Sequence, residues 1–376
     1  MVNKAYFPHL GGVETVVRQI AEGMIKRGHE TTVLCFGERD ITERVEGLEI
    51  RRVRPLGRIG SAPVGLRFVM ELSRLSKQAD VINFHSPNPM GELAFLLFPS
   101  TIGKGKRIIC TYHGDAQKPK FLLPAYDFIM RRFFQLCDVI AVSNPPLCEN
   151  SRVLKEDSIK EKTRIIPLGV RTENYAKQQA CQIEEARSLL TRLPSASFKV
   201  MYAGRMVYYK GLEVLLEALL KIKEQKYLVS AFLVGSGPEE RYIRKYIENN
   251  ALEDDIIILP PQPESIYRAL FSLADCFVLP STHQTEAFGI VLAEAMASEL
   301  PIISTELGTG TSWVNQDGET GIVIPPQDPN ALAKAIVYLA DHAEEREAMS
   351  IKSLARAKRF FEEDMMLDAY SNIIDN

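Results

Sequence analysis

Residues 281–297 read Ser-Thr-His-Gln-Thr-Glu-Ala-Phe-Gly-Ile-Val-Leu-Ala-Glu-Ala-Met-Ala and follow a strand-like apolar run. The pattern predicts a loop that becomes a helix at about Phe288, where an apolar, alanine-rich run begins. Glu286 and Glu294 are slightly over two helical turns apart, so both carboxylates can face one side. Gly289 stands near the helix N-terminus, where backbone N–H groups lack helical partners. A strand, a glycine turn and a helix N-terminus favour an anion site, whereas the two acids suit the hydroxyls of a ribose or sugar.

Residues 286–297 resemble the E-x7-E motif of the large family of retaining glycosyltransferases with the GT-B fold. A pair of acids at this spacing is by itself typical of solvated helix charges, so the resemblance depends on the residues around it. It covers nearly the whole chain. It implies an α/β protein with two Rossmann-like domains that face each other across a cleft, and a C-terminal helix that crosses back to the first domain.

Length and composition fit a globular protein of two domains. The chain has 376 residues, and single hydrophobic cores seldom grow beyond roughly 250–300 residues. The net charge of −3 argues against non-specific binding to nucleic acid. A polar segment follows a Pro-Leu-Gly-Val exit that resembles the interdomain crossing of the family. The predicted divisions are an acceptor-binding domain at 1–170, a nucleotide-sugar-binding domain at 171–360 and the returning helix at 361–376.

The sequence predicts a cytoplasmic protein. Six cysteines are scattered without a C-x-x-C pair, which favours buried free thiols in a reducing compartment. We find no apolar run long enough for a membrane-spanning helix and no secretory signal. Peripheral contact with the inner face of the cell membrane stays open, because one basic and apolar region suits either anionic lipid or a solvated surface. Its residues are Lys104, Lys106, Arg107, Lys118, Lys120, Phe121, Leu122, Leu123, Arg131 and Arg132.

The first half alternates strand-like and helix-like runs, as a doubly wound domain does. Residues 1–4 are too short for a full first strand, which departs from the family pattern. Gly11 and Gly12 precede a helix with an apolar face. They suit a tight turn, and the resemblance implies that this loop lies under the donor diphosphate and beside the acceptor, with the helix N-terminus serving the phosphates.

A histidine follows the strand predicted at residues 107–112. Polar residues at the carboxyl ends of successive strands mark the ligand crevice of an open α/β sheet. A lone histidine is commonly a capping or packing residue, but the resemblance assigns His113 a hydrogen bond to the donor sugar. Asp115 and His85 are further candidates, for the acceptor side.

Two cations bracket the first loop of the second half. Arg205 and Lys210 follow a predicted strand and precede a helix whose apolar stripe is Leu212, Leu215, Leu216, Leu219 and Ile222. They are either surface charges near a turn or fixed cations that suit a diphosphate leaving group. The Gly-Arg and Lys-Gly dipeptides match a signature of the resembled family, which implies that Arg205 and Lys210 bind the pyrophosphate.

The resemblance implies the other donor contacts. Gly235, in a Gly-Ser-Gly turn, lies close to the nucleotide in the family, and the loop at Pro261 holds the base. Glu294 is assigned to the ribose hydroxyls. The sugar hydroxyls are assigned to Glu286 and to the backbone of Phe288, Gly289 and Ile290.

Four residues receive catalytic roles: His113, Glu286, Arg205 and Lys210. We find no cluster with metal-ligand spacing and no Asp-x-Asp word, so we expect a metal-independent enzyme without a cofactor, whose cations and helix N-termini act in place of a metal. No carboxylate pair stands out as a nucleophile and acid. The resemblance implies retention at the anomeric carbon, and the account favoured for the family is front-face attack, with the departing phosphate taking the acceptor proton.

Residues 306–321 contain the segment Thr-Gly-Thr-Ser where typical members of the resembled family have Gly-Gly and an acid. This version resembles mannosyl- and rhamnosyltransferases of bacterial surface-polysaccharide and lipopolysaccharide synthesis. We therefore expect transfer of a hexose from a nucleotide-diphosphate sugar, guanosine-diphosphate mannose or a deoxyhexose relative, to a glycan or lipid-linked acceptor.

Other functions stay open on the same fold. One is the same reaction with a uridine-diphosphate sugar. Another is a non-catalytic protein that binds a glycan or a partner. Loss of the two acids or the two cations would favour this alternative, but all four residues are present. A phosphorylase would need a longer chain and a pyridoxal-phosphate lysine. A nicotinamide-dependent dehydrogenase would need a G-x-G-x-x-G word, and neither opening strand is followed by one.

Overall fold

The structure is a computed structural model that describes residues 1–9, 11–60, 62–117, 120–176 and 178–376. Lys118, one of the predicted basic residues, lies outside the described residues. The chain divides into two compact units, one made of Met1–Leu168 with Glu363–Asn376 and the other of Gly169–Glu362. The sequence placed these divisions after residues 170 and 360.

The first unit is an α/β unit built on mostly parallel strands. Its strands are β1 Thr32–Phe36, β2 Ile41–Val45, β3 Leu48–Val53, β4 Gly57–Ile59, β5 Ala62–Val64, β6 Val81–Ser86, β7 Arg107–Tyr112, β8 Val139–Val142 and β9 Thr163–Ile165. Its helices are α1 Gly12–Lys26, α2 Leu66–Ser76, α3 Pro89–Leu97, α4 Pro99–Ile102, α5 Leu123–Leu136, α6 Pro145–Asn150 and α7 Asp157–Lys160, with a 3₁₀ turn at Lys120–Leu122.

Val2 takes the place of a first strand. It forms parallel bridges to Leu34 on one side and Phe84 on the other. It thereby joins the strand order β1-β3-β2 to the order β6-β7-β8-β9. Residues 1–4 therefore form no full strand, as the sequence predicted.

Two short features of the first unit differ from the sequence prediction. The apolar spacing of residues 63–77 predicts a helix over that run, but the helix begins at Leu66, because Pro63 lies in a β4–β5 hairpin. Strand β2, which pairs antiparallel with β3, was also missed. Both segments are mostly solvent-exposed, so they lack the continuous apolar run by which buried strands are recognised.

The second unit is a doubly wound α/β unit. Its strands are β10 Phe198–Ala203, β11 Val229–Val234, β12 Ile256–Leu259, β13 Cys276–Leu279, β14 Ile302–Thr305 and β15 Gly321–Ile324. Its helices are α8 Glu173–Ala176, α9 Ala180–Ser188, α10 Leu212–Glu224, α11 Glu240–Asn249, α12 Glu264–Phe271, α13 Ile290–Ala297, α14 Gly310–Val314, α15 Pro329–Asp341 and α16 Ala343–Phe360, with a 3₁₀ turn at Tyr208–Lys210.

The strand order of the second unit determines where its loops meet. The sheet is parallel and runs β12-β11-β10-β13-β14-β15. The order reverses direction at β10, so the loops that follow β10 and β13 emerge side by side at the carboxyl edge. This is the switch point at which open α/β sheets bind ligands. The predicted stripe of α10 is buried along its whole length, as expected.

The last helix, α17 Glu363–Asp375, belongs to the first unit. Its Asp368 accepts a hydrogen bond from Arg27 at 2.6 Å, and the Tyr370 hydroxyl lies 3.2 Å from that of Thr111 on β7. Tyr370 is buried. These contacts confirm the predicted return of the C-terminal helix to the first unit.

Candidate active site

The loops after β10 and β13 approach each other closely. The Thr282 amide donates to the carbonyl of Tyr209 at 2.8 Å. Gly211, between the 3₁₀ turn and α10, has φ +69, and a Cβ there would lie 1.9 Å from the carbonyl oxygen of Pro280. Only glycine fits this left-handed, crowded position. The close approach brings Lys210 beside the loop that carries Glu286.

Lys210 and Glu286 form a buried ion pair. The Lys210 Nζ lies 2.5 Å from Glu286 Oε2, and the two side chains are 12% and 10% exposed. The Ser281 hydroxyl donates to the same oxygen at 3.1 Å, and Thr309 donates to the Glu286 carbonyl at 2.7 Å. The first acid of the motif and the predicted phosphate lysine therefore meet in one place.

Arg205 is the other predicted phosphate cation, and its side chain is exposed. Its loop is fixed by a hydrogen bond from the Tyr202 hydroxyl to the Arg205 carbonyl at 3.1 Å. The following amide, that of Met206, donates to Ser236 at 2.9 Å. Gly235 lies so close that a Cβ would stand 2.1 Å from the carbonyl of Gly204. The predicted glycine turn after β11 therefore packs against the arginine loop.

The motif helix α13 begins at Ile290, two residues later than the sequence predicted. Gly289 is its N-cap, with φ +73. The Phe288 side chain is buried and packs against Trp313 and Phe361. With its side chain packed in this cluster, Phe288 has its backbone left for a ligand.

Glu294, the second acid of the motif, lies among tyrosines. The Tyr267 hydroxyl on α12 donates to its Oε2 at 2.7 Å, and the Tyr175 hydroxyl also hydrogen-bonds the carboxyl. Burial raises the pKa of Glu294, while these two hydrogen bonds oppose the shift. No sequence pattern points to either tyrosine, because neither stands near Glu294 in the chain. Pro261, the predicted base-loop residue, is exposed after β12.

In the first unit, His113 follows β7 and contacts His85 at the end of β6. The Nε2 atom of His113 lies 3.1 Å from Nδ1 of His85, and the two rings are stacked. Burial lowers the pKa of His85 well below its usual range and that of His113 to about 3, with the charge of Lys4 adding to the second shift. Both imidazoles are therefore neutral near pH 7.

The remaining candidates of the first unit are local to their loops. Gly11 is the extended N-cap of α1 and Gly12 is its first residue, with open space where a Cβ would lie. Asp115 accepts hydrogen bonds from the hydroxyl of Ser151 at 2.7 Å and the amide of Arg152 at 2.9 Å. These bonds join the loop after β7 to the segment after α6, so Asp115 has a structural function.

Other sequence expectations concern metals, membranes and thiols. Across the described ranges, no three His, Cys, Asp or Glu residues form a group that could hold a metal ion. In the same part of the chain, no helix has the length and apolar character needed to cross a membrane. All six cysteines are free and four are buried, but Cys148 is half-buried and Cys181 is exposed, so the expectation of buried thiols is wrong for Cys181.

Comparisons with known proteins identify the family of the chain. The family described as glycosyl transferases group 1 matches residues 191–356, and glycosyltransferase family 4 matches residues 10–174. The O-antigen chain mannosyltransferase C of Escherichia coli is 32% identical over 375 residues, which covers 99% of this chain and 96% of that protein. The D-rhamnosyltransferase WbpZ of Pseudomonas aeruginosa is 32% identical over 355 residues, which covers 94% and 88%.

The fold also matches solved structures. Sucrose-phosphate synthase from Thermosynechococcus elongatus superposes with a TM-score of 0.78 at 20% identity, covering 99% of this chain and 95% of that one. At this identity the likeness shows the fold, which is the GT-B fold that the sequence predicted. The two family models and the two relatives that match nearly end to end establish that the chain is a glycosyltransferase of the group 1 family.

Proposed function

We propose that this protein is a retaining, metal-independent hexosyltransferase that uses a nucleotide-diphosphate sugar to build a bacterial surface polysaccharide. The observation that carries the proposal is the Lys210–Glu286 pair at the carboxyl edge of the second unit, in which Lys210 shares the loop after β10 with Arg205. A cation held by an acid can contact a phosphate while that acid contacts a sugar hydroxyl. A donor sugar phosphate offers both groups, a phosphate for the cation and sugar hydroxyls for the acid.

The diphosphate is the leaving group, and its developing charge needs fixed positive partners. Arg205 is exposed, and no salt bridge to it is found among the described residues. Lys210 is held in place by Glu286, so its position costs no reorganisation when the donor binds. Helix α10 begins directly after Lys210 and Gly211 and adds unpaired backbone N–H groups. These groups support transfer without a metal ion.

The sugar and the nucleoside have separate partners in the proposal. Glu286 and the backbone of residues 288–290 hold the sugar hydroxyls, and Glu294 holds the ribose hydroxyls. A carboxyl that already accepts from Tyr267 can rotate or share its second oxygen with a ribose hydroxyl. His113 hydrogen-bonds the donor sugar, and the departing phosphate takes the proton of the acceptor hydroxyl.

The relatives support mannose, or a deoxy relative of it, as the sugar. The two that are 32% identical are named for transfer of mannose to the O-antigen chain and of D-rhamnose. We therefore propose guanosine-diphosphate mannose or a guanosine-diphosphate deoxyhexose as donor, and a lipid-linked glycan as acceptor. A uridine-diphosphate sugar is the alternative donor.

A transfer assay tests the proposal. The purified protein is incubated with each nucleotide sugar and a lipid-linked glycan acceptor, with a chelator present. The Lys210→Met variant should transfer on the order of a hundredfold more slowly, as when one preorganised charge partner of a leaving group is removed. Lys334→Met, at an exposed position on α15, is the matched control and should transfer at the parent rate.

Each part of the proposal has its own refutation. Equal transfer by the Lys210→Met variant and the parent would remove the phosphate role. Loss of transfer in chelator, restored by a divalent cation, would overturn metal independence. A product whose anomeric configuration is inverted, seen by NMR, would overturn retention. A preference for uridine-diphosphate sugars would correct the donor alone.

We further propose that the first unit contacts an anionic lipid surface, where a lipid-linked acceptor would reside. Helix α5 packs against α3 and against the 3₁₀ turn that precedes it. Phe121 and Phe128 are 80% and 59% exposed, and the guanidinium of Arg132 lies over the Phe128 ring. Leu97, at the end of α3, is also exposed. Exposed aromatic and basic side chains together suit the interface of an anionic membrane.

Vesicle sedimentation tests this contact. The parent should bind vesicles of phosphatidylcholine with phosphatidylglycerol and bind pure phosphatidylcholine less. The Phe121→Asp/Phe128→Asp variant should lose binding, whereas Ile351→Asp, at an equally exposed apolar position of α16, should keep it. Failure of the parent to bind either vesicle would leave the region as a solvated surface.

A further inference from the structure

His85 is buried at the end of β6, and within the described part of the chain one of its ring nitrogens has a hydrogen-bond partner and the other has none. The side chain is 1% exposed. Its Nδ1 lies 3.1 Å from Nε2 of His113, a hydrogen-bond distance. Its Nε2 is buried and has no hydrogen-bond partner among the described residues. A neutral histidine carries one ring proton, so this contact links the tautomers of both rings.

Two arrangements satisfy the contact. In the first, His85 carries its proton on Nδ1 and donates to His113, and its bare Nε2 is left without a donor. In the second, His113 donates to His85, which must then carry its proton on the buried Nε2. The second arrangement buries an N–H without an acceptor, and such orphaned donors are rarer in proteins than unfilled acceptors.

We propose that His85 is a positioning residue that holds His113 as its Nδ1–H tautomer. With Nε2 of His113 occupied as an acceptor, the other nitrogen carries the proton. His113 then presents a hydrogen-bond donor to the substrate and cannot accept a proton there as a base. The burial of the pair supports this assignment, because both rings stay neutral near pH 7.

The consequence for the reaction rests on the proposed function. A donor N–H can hold a sugar hydroxyl oxygen or a phosphate oxygen. Because His113 does not take the acceptor proton, that proton goes to the departing phosphate.

Nitrogen-15 NMR of the full chain labelled in its histidines tests the tautomer directly. Two-bond correlations between ring protons and nitrogens tell which nitrogen is protonated, and the His113→Asn variant identifies the His113 signals. Two substitutions of equal size at the buried position form a matched pair. His85→Asn keeps an N–H donor near the Nδ1 position, whereas His85→Asp offers an acceptor.

The parent and the His85→Asn variant should both show His113 protonated at Nδ1, and the variant should retain transfer of the same order. The His85→Asp variant should shift the His113 proton to Nε2 and slow transfer on the order of a hundredfold, because the donor to substrate is lost. His113 protonated at Nε2 in the parent would overturn the proposal. That result alone decides the matter if the aspartate variant does not fold.

The NMR result does not depend on activity. A parent that shows the Nδ1–H tautomer but transfers no sugar would refute the proposed function and leave the tautomer assignment standing. A parent that transfers sugar but shows His113 as the Nε2–H tautomer would refute the tautomer assignment and leave the proposed function standing.

Discussion

Breaking the Lys210–Glu286 pair should destabilise the second unit. At 2.5 Å and an effective dielectric constant of 20, the attraction is about 7 kcal/mol. The desolvation of two buried charges offsets much of it, so the intact pair contributes little net stability. Removing one partner is different, because it leaves a buried charge without compensation. We expect Lys210→Met and Glu286→Gln each to lower the free energy of unfolding by about 3 kcal/mol.

The double variant isolates the interaction. Lys210→Met/Glu286→Gln removes both charges and should cost clearly less than the sum of the single variants, which is about 6 kcal/mol, so the coupling energy should be at least about 3 kcal/mol. The exposed pair Arg244–Glu240 is the control, because its atoms lie 2.8 Å apart but its side chains are 51% and 32% exposed. Screening by water should limit that coupling to about 0.5 kcal/mol.

The chain contains one tryptophan, and it provides the assay. Trp313 lies in the second unit, with its ring centroid 5.5 Å from that of Phe361, so its fluorescence should change when this unit unfolds. Urea titrations of the parent, the single variants and the double variant give the four free energies of the cycle. A coupling at Lys210–Glu286 no larger than at Arg244–Glu240 would refute a buried ion pair.

Two further predictions concern pH and a glycine. Because burial lowers the folded-state pKa values of His85 and His113, with His113 at about 3, the unfolded chain takes up protons first as the pH falls below about 6.5. Each histidine should therefore cost up to about 1.4 kcal/mol of unfolding free energy per pH unit between pH 6 and 4, and His113→Asn should flatten this dependence in calorimetry. Gly211→Ala should destabilise by more than about 3 kcal/mol, since the new Cβ meets a backbone carbonyl. Gly105→Ala has the same φ of +69 but open space and should cost only about 1 kcal/mol, so equal melting temperatures for the two variants would contradict the clash.

The helices and buried strands were predictable because their patterns are local. The apolar stripe of α10 follows the helical period, and all of its members are buried. The strand at β11 is buried throughout and apolar except for Ser230, as is typical of a strand covered on both faces. Strand β2 and the β4–β5 hairpin escaped prediction because exposed, short strands carry no such pattern. The place of a first strand carries no such pattern either, since Val2 alone makes its bridges.

The sequence by itself predicted Glu286, Lys210 and His113 as site residues, because each lies in a recognisable motif just after a predicted strand. It did not determine what each of them contacts. Lys210 meets Glu286 because β10 and β13 are neighbours in the sheet although other elements separate them in the chain. His113 meets His85 because β6 and β7 pair in parallel. Local periodicity encodes which residues are buried and where a loop begins, whereas strand order and register, which depend on packing of the whole unit, decided which charges and rings lie within a few ångströms of each other.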